Sequence, residues 1–158
     1  MIKVRQGVFE TNSSSTHSIC IAHTTDYVIP DKVAFSVGEF GWEFDTLSCL
    51  SEKASYLYTA IHANDAYVDG FIDQLERCMD ELGFSEDKGN LEYGGISGGY
   101  IDHGGETYDF VCHVLSKADN LAAFLFSPLS FILTGNDNSC IDVEVDVDYP
   151  HTVFEKGN

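Results

Sequence analysis

Apolar residues recur at helical spacing through the middle of the chain, and this pattern constrains the fold more than any other. The stripe consists of Ala54, Leu57, Tyr58 and Ile61, followed by Val68, Phe71, Ile72, Leu75, Met79 and Leu82. Residues three and four apart lie on one face of a helix, so each half of the stripe can be buried. The spacing predicts two helices, over 51–63 with Ser51 as the N-cap and over 65–82 with Gly83 just beyond the end.

Strands are predicted on both sides of these helices. Polar and apolar residues alternate most regularly over 140–147 and again over 17–22, and a short apolar run covers 130–134. Two shorter helices are predicted at 108–115 and 118–126. Strands before and after a helical middle are typical of an α+β fold. We expect a single domain over residues 1–158, in which these three strands join a mostly antiparallel sheet with two or three packed helices.

The chain is strongly acidic, with 26 Asp and Glu residues against 8 Lys and Arg residues and a formal net charge of −18. Its 44% of hydrophobic residues suffices for a packed core, so the charge does not indicate disorder. A surface of this sign repels phosphates, which argues against direct wrapping of nucleic acid and against docking on an anionic membrane. Three explanations remain: solubility, a metal-rich site, or a surface that mimics nucleic acid and occupies a basic groove of another protein.

The cysteines and the first residues indicate a cytoplasmic protein. None of the five cysteines has CxxC spacing, and their number is odd, so we expect five unpaired, reduced thiols. The first residues lead into a polar run rather than an apolar one, so no secretory signal is predicted. No apolar stretch approaches the ~20 residues that a membrane-spanning helix needs.

A run of small polar residues precedes a histidine near the start of the chain. The run consists of Asn12, Ser13, Ser14, Ser15 and Thr16, and His17 follows it. Successive backbone N–H groups with short hydroxyl side chains can hold a phosphate or a carboxylate. His17 would then act as an acid or base, and Arg5 would supply a cation. The alternative is an ordinary polar loop.

Two further polar segments are candidates for the same kind of site. Glycines frame Tyr100, Asp102 and His103, and His103 with Asp102 could serve as an acid–base pair or as metal ligands. The turn after the strand at 130–134 carries Asn136, Asp137 and Asn138. Both segments also suit simple turns, because Gly, Asn and Asp are the residues that turns favour. The chain has no zinc-ligand spacing and no phosphate-binding glycine motif, so no metal is predicted and the sequence names no cofactor.

Acidic residues are concentrated in two places. Asp142, Glu144 and Asp146 alternate with valines on the last predicted strand, and the polar face of the second helix is acidic over 69–81. Either could imitate a row of phosphates, although a solvated face is the commoner explanation. Trp42 is predicted as a core residue or as a stacking platform for a base.

The segment from Val8 to Ser18 resembles a family of small proteins from bacteriophages and other mobile elements that has no assigned activity. The similarity extends to the segments 38–42, 53–57, 99–103 and 134–138. The resemblance implies a phage protein that acts in a bacterial cytosol. It also implies that the three polar segments belong to one site, but it supplies no chemistry.

The sequence therefore supports two main hypotheses. In the first, the protein binds and hydrolyses a small phosphate-bearing ligand, such as a nucleotide defence signal, at a site formed by the three polar segments, as a phosphodiesterase-like enzyme would. Binding without cleavage would make it a sponge for that ligand. In the second, it is an acidic inhibitor that mimics nucleic acid and binds a host nuclease or another nucleic-acid-binding protein. A minor virion component is a third reading, and a homo-oligomer is compatible with all three.

Overall fold

The computed structural model describes residues 2–7, 16–42, 44–102, 104–135, 140–145 and 151–156. These residues form ten β-strands, four α-helices and two short 3₁₀ turns around a main hydrophobic core, and Cys20, Phe131 and Leu133 form a small second apolar cluster. The fold is the single α+β domain that the order of patterns predicts. Within the described residues, no helix combines the length and the apolar character that crossing a membrane requires.

The main sheet has four antiparallel strands near the two ends of the chain. They are β2 (Thr16–Ala22), β5 (Asp45–Leu47), β8 (Phe131–Gly135) and β10 (His151–Lys156). Their order in the sheet is β10-β2-β8-β5. His17 pairs with Thr134 across the β2–β8 ladder, and Asp45 pairs with Thr134 on the other side of β8. The predicted strands at 17–22 and 130–134 are thus neighbours in one sheet.

The last regular strand lies in a separate sheet. β9 (Cys140–Val145) pairs antiparallel with β1 (Ile2–Gly7), and the two form a two-stranded sheet. The prediction that 140–147 joins the strands at 17–22 and 130–134 is wrong in this respect. Both edges of β2 and both edges of β8 are already hydrogen-bonded to other strands, so neither can accept β9.

The helices pack against the main sheet and against one another. They are α1 (Leu50–Ala63), α2 (Val68–Glu81), α3 (Tyr108–Leu115) and α4 (Ala118–Phe126). α1 begins at Leu50, one residue before the predicted start at 51. Its N-cap is Cys49 rather than the predicted Ser51. The Glu52 carboxylate accepts hydrogen bonds from the backbone N–H groups of Ser48 and Cys49, at 2.9 and 3.1 Å. This contact closes the first turn of the helix and explains the earlier start.

The second predicted helix is divided at its start. Asp65–Tyr67 forms a 3₁₀ turn, and the regular helix begins at Val68. The buried Asn64 fixes this break, because its side-chain amide donates to the Ala60 carbonyl at 2.8 Å and to the Thr107 hydroxyl at 3.1 Å. The change of direction after Asn64 sets the angle between α1 and α2, and a cleft opens beside it.

Two short parallel strand pairs lie outside the main sheet. β3 (Val33–Phe35) pairs with β6 (Leu91–Tyr93), and β4 (Glu39–Phe40) pairs with β7 (Tyr100–Ile101). Four cysteines, Cys20, Cys49, Cys78 and Cys112, are free thiols as predicted, and the side chain of Cys140 lies outside the described residues.

A candidate binding cleft beside helix α2

A cleft of about 960 Å³ opens beside α2 among the described residues. Its walls come from the last turn of α1, from the first half of α2 with the turn before it, and from the glycine-rich segment 94–101. This volume lies at the upper end of the range of roughly 300–1,000 Å³ that ligand pockets occupy. The cleft can therefore receive several side chains of a partner or one drug-sized molecule.

The α2 wall of the cleft is acidic. Asp65, Asp69 and Asp73 follow one another at intervals of four residues, and all three are exposed. Between them, Val68 and Ile72 supply apolar surface. Among the described residues, no lysine or arginine lines the cleft. The electrostatic potential in the cleft is therefore negative, and a cation is the ligand that it favours.

The α1 wall carries a neutral imidazole. The His62 ring packs edge-on against Tyr58, with centroids 4.6 Å apart, and its Nε2 atom is buried without a hydrogen-bond partner in the described part of the chain. Burial lowers the pKa of His62 below its usual value of 6.5. At neutral pH this histidine therefore adds no positive charge to the cleft. Nothing in the helical pattern of the sequence distinguishes His62 from other helix residues, so sequence reasoning missed this buried nitrogen.

The third wall depends on a close backbone contact. A Cβ atom at Gly99 would lie 2.5 Å from Cβ of Val37, so a larger residue there would displace one wall of the cleft. The backbone N–H of Tyr100 donates to the Gly38 carbonyl at 2.8 Å, and the Gly38 N–H donates to the Thr59 hydroxyl at 2.9 Å. Gly99 therefore serves the packing of this segment against α1.

An exposed aromatic pair lies at the edge of the cleft. The rings of Trp42 and Tyr100 stack with centroids 5.4 Å apart and an angle of 20° between their planes. Trp42 is 59% exposed and Tyr100, which lines the cleft, is 45% exposed. The Tyr100 hydroxyl donates to Oδ1 of Asp102 at 3.2 Å. Trp42 is thus a surface residue of the stacking kind, and its prediction as a core residue is wrong.

A row of carboxylates continues along α2 beyond the cleft. Asp69, Asp73, Glu76 and Asp80, here called the acidic stripe, are all exposed and lie within about 60° of one another around the helix axis. The stripe spans about 16 Å at a rise of 1.5 Å per residue. Arg77, the only basic residue of α2, lines a different hollow beside Lys117. The acidic face that the sequence indicates over 69–81 is therefore a continuous exposed row.

The far end of the acidic stripe borders a second hollow. It has a volume of about 250 Å³, and Glu76, Asp80, Glu86 and Asp87 line it together with Tyr93. No basic residue of the described chain lines this hollow either. The two hollows and the stripe between them form one acidic surface along α2.

His17, the first predicted catalytic residue, lies inside the core. Its side chain is 1% exposed, and its Nδ1 atom lies 2.7 Å from the hydroxyl of Tyr56, which is itself fully buried. Burial raises the pKa of Tyr56 far above its usual value, so this hydroxyl keeps its proton. The His17–Tyr56 contact links β2 to α1, and it gives the buried imidazole a structural partner.

Tyr100 and Asp102 lie at the surface, on β7 and just after it. Ile101 between them is buried and pairs with Phe40, whose ring contacts Tyr56 edge-on at 5.2 Å. The pairing of Phe40 with Ile101 and the Phe40–Tyr56 ring contact therefore connect this segment to the core in which His17 lies. Of the predicted site residues, Tyr100 lines the large cleft.

The other predicted site residues fall mainly outside the described part of the chain. These are Asn12, Ser13, Ser14, Ser15, His103, Asn136, Asp137 and Asn138. The strand ends that flank two of these segments are paired: Gly7 lies opposite Cys140, and Thr16 lies opposite Gly135. The described residues on either side of these two segments are therefore neighbours.

The register of the β1–β9 sheet bears on the predicted charges. Arg5 lies opposite Asp142, and Lys3 lies opposite Glu144. Residues directly opposite in an antiparallel pair are neighbours. At two positions of this sheet, a basic residue on β1 is therefore paired with an acidic residue on β9. Asp146 lies outside the described residues. Asp142 and Glu144, two of the three acidic residues predicted on the last strand, thus have a basic residue opposite them, whereas the acidic stripe of α2 is exposed to solvent.

Sequence reasoning missed a buried lysine. Lys53 on α1 is 2% exposed, and its Nζ atom donates to the carbonyls of Ser127 and Ser130 at 2.9 and 3.2 Å. The Ser130 hydroxyl accepts from the Ala22 N–H and donates to the Ala123 carbonyl. Burial lowers the pKa of Lys53 to about 8. This network joins α1 to the turn between α4 and β8. A lysine in a helix gives no sequence signal of burial, because lysines are mostly exposed.

Compared with protein-family models, curated protein sequences and solved structures, the chain matches none of them. Its chemistry follows from its own geometry. That geometry offers an acidic cleft, an acidic stripe and an exposed aromatic pair, all beside α2.

Proposed function

We propose that the chain binds the basic groove of a nucleic-acid-binding protein and presents the acidic stripe of α2 there in place of a phosphate backbone. The observation that carries this proposal is the stripe itself, four exposed carboxylates on one face of one helix. The acidic hollows at its two ends extend the same surface.

The charge spacing of the acidic stripe suits such a role. Four carboxylates over about 16 Å give one charge per roughly 5 Å, whereas one strand of a DNA duplex carries one charge per ~3.4 Å of helix axis. The stripe is therefore within a factor of two of the linear charge density of a single strand. A groove lined by lysine and arginine would attract it for the same electrostatic reason that it attracts phosphates.

The far half of the acidic stripe weakens the helix that carries it, whereas Asp69 in the first turn suits the helix dipole. Asp69 with Asp73 and Glu76 with Asp80 are like-charge pairs four residues apart, and each such pair costs about 0.2–0.5 kcal/mol. Asp80 also lies in the last turn of α2, where a negative charge opposes the helix dipole. The row is therefore not explained by helix stability, and binding of a basic partner offsets its cost.

The resemblance of the N-terminal segment to phage and mobile-element proteins suggests the setting. In a bacterial cytosol, the partner would be a host nuclease or another protein that holds nucleic acid in a basic groove. The protein would then act as an inhibitor by competing for that groove.

The test is a competition experiment with charge-matched variants. A fluorescent 20-base-pair duplex is bound to each of three proteins: a bacterial histone-like nucleoid protein, a sequence-independent endonuclease and a basic transcription regulator. We expect the chain to displace the duplex from at least one of them. Glu76→Gln with Asp80→Asn should weaken displacement, whereas Asp26→Asn with Asp31→Asn, an equal change of net charge at exposed positions on the β2–β3 connection, should not. The same affinity for both double variants, or no displacement from any of the three proteins, would contradict the proposal.

A second candidate function is binding of a phosphate-bearing ligand by the polar segments. The observation that favours it is the pairing of Gly7 with Cys140 and of Thr16 with Gly135, which brings the ends of two predicted segments together. Isothermal titration with a cyclic dinucleotide and with inorganic phosphate tests it. Loss of binding in His103→Gln, with binding intact in His151→Gln, would support this function, and no heat of binding from either ligand would rule it out.

A further inference from the structure

The large cleft combines acidic side chains, apolar surface and one ring of an exposed aromatic pair. Its α2 wall is acidic at Asp65, Asp69 and Asp73, while Val37 and Ile72 line it with apolar surface. Ile96, which is 60% exposed, lies at its rim on the glycine-rich segment. Tyr100, which stacks on Trp42, lines the cleft as well.

We propose that this cleft binds an arginine side chain, with the apolar residue beside it, from a protein partner. This inference goes beyond the proposed function, because its site is the cleft rather than the acidic stripe, although the two share the carboxylates of Asp69 and Asp73. The juxtaposition that carries it is that acidic side chains, apolar surface and Tyr100, one ring of an exposed aromatic pair, line the same cleft.

The aromatic pair selects arginine among the cations. A guanidinium is planar and weakly hydrated, and it stacks on aromatic rings, whereas a lysine ammonium is a compact, strongly hydrated charge. Trp42 and Tyr100 are stacked and both are exposed, so the outer face of a ring remains open to a guanidinium. The Tyr100 hydroxyl donates to Asp102, which holds the ring in this position.

The acidic and apolar residues of the cleft suit the charge and the methylene stem of the arginine, and the apolar residue next to it. Arginine buries its methylene stem along apolar surface while its charged end stays at a polar edge. Val68 and Ile72 lie between the carboxylates on α2, so stem and charge meet matching surface at once. The volume of about 960 Å³ leaves room for an adjacent apolar residue against Ile96. Since His62 is neutral at pH 7, it does not oppose the incoming cation.

Trp42 provides the signal for a direct test, because the chain has one tryptophan. The probes are an eight-residue peptide of alternating arginine and leucine, its lysine counterpart, and spermidine. We expect the arginine peptide to change the Trp42 emission saturably and to bind at least about threefold more tightly than the lysine peptide. Equal affinity of the two peptides, or equal affinity of spermidine, would overturn the inference.

Single-charge variants separate the cleft from the acidic stripe. Asp65→Asn, which lies in the cleft and outside the stripe, should weaken the arginine peptide about two- to fivefold. Asp80→Asn, which lies in the stripe and outside the cleft, should leave its affinity unchanged. Tyr100→Leu should remove most of the preference for arginine over lysine, and circular dichroism checks that each variant is folded. Equal losses in Asp65→Asn and Asp80→Asn would show attraction by net charge alone and would contradict the proposal.

The two proposals can fail separately. Tight binding of the arginine peptide without displacement of duplex DNA would leave the cleft assigned and refute the nucleic-acid mimic. Displacement of DNA that depends on Glu76 and Asp80, without any preference for arginine, would do the reverse.

Discussion

Single buried polar residues hold the core of this protein together. His17 contacts Tyr56 between β2 and α1, and Lys53 joins α1 to the turn after α4. A buried polar group without a partner costs about 1–3 kcal/mol, so each of these residues depends on the other member of its contact. The energetic role of each contact can be measured by removing one partner at a time.

The contact between His17 and Tyr56 should be visible as a coupling energy. Tyr56→Phe removes the hydroxyl but keeps the ring, so we expect a loss of about 1–3 kcal/mol in the free energy of unfolding. In a double-mutant cycle with His17→Gln, the interaction energy should be about 1 kcal/mol. Urea unfolding of the four proteins measures it, and strict additivity of the two single changes would show that the contact contributes nothing.

Lys53 should give the protein a stability gain at alkaline pH. The pKa of Lys53 is about 8 in the folded state and about 10.5 in the unfolded chain. Between these values the unfolded chain binds a proton that the folded protein has released, so stability rises with pH across this window. The unfolding free energy of the wild type minus that of Lys53→Met should therefore increase by roughly 3 kcal/mol from pH 8 to pH 10.5. A difference that stays constant over this range would mean that the pKa of Lys53 is not lowered.

At the scale of secondary structure, α2 combines a well-buried face with a repulsive one. Phe71, Leu75, Cys78 and Met79 are buried, and the acidic stripe lies on the opposite side. Burial of the apolar face stabilises the helix, so the helix can tolerate the repulsion between the carboxylates of the stripe. The stripe is then free to bind a partner.

Neutralising the far half of the acidic stripe should make the protein more stable. Glu76→Gln with Asp80→Asn removes one like-charge pair and an unfavourable charge in the last helical turn. We expect a gain of about 0.5–1 kcal/mol in unfolding free energy at low salt. Gly70→Ala serves as a positive control, since a Cβ there meets nothing within 4 Å and the helix gains about 1 kcal/mol. A loss of stability in the double variant would mean that these carboxylates have partners that stabilise the fold.

The sequence predicts these elements well where apolar spacing decides them. α3 and α4 match the predicted ranges, and β2, β8 and β9 lie within two residues of theirs. The pairing of β9 with β1 could not be predicted, because it depends on which strand edges are already occupied. The cleft could not be predicted either. It depends on the break at Asn64 and on the approach of Gly99 to Val37, two contacts between residues far apart in sequence.

The whole molecule carries a net charge of −18, and the proposed function depends on where that charge lies. A uniformly acidic protein would attract any basic partner weakly, and equal charge changes would have equal effects at all exposed sites. If the acidic stripe is the binding surface, charge changes on α2 should weaken binding more than equal charge changes elsewhere on the surface. Association should also slow with rising ionic strength, because the charges that steer the partner are exposed.

The most direct measurement of the central claim is the association rate constant between the chain and the protein from which it displaces DNA, as a function of salt. The account predicts that the wild type and the Asp26→Asn, Asp31→Asn variant share one steep dependence on ionic strength. The Glu76→Gln, Asp80→Asn variant should associate more slowly at low salt and show a shallower dependence. If both double variants, which carry the same net charge, follow the same curve, the acidic stripe of α2 is not the binding surface.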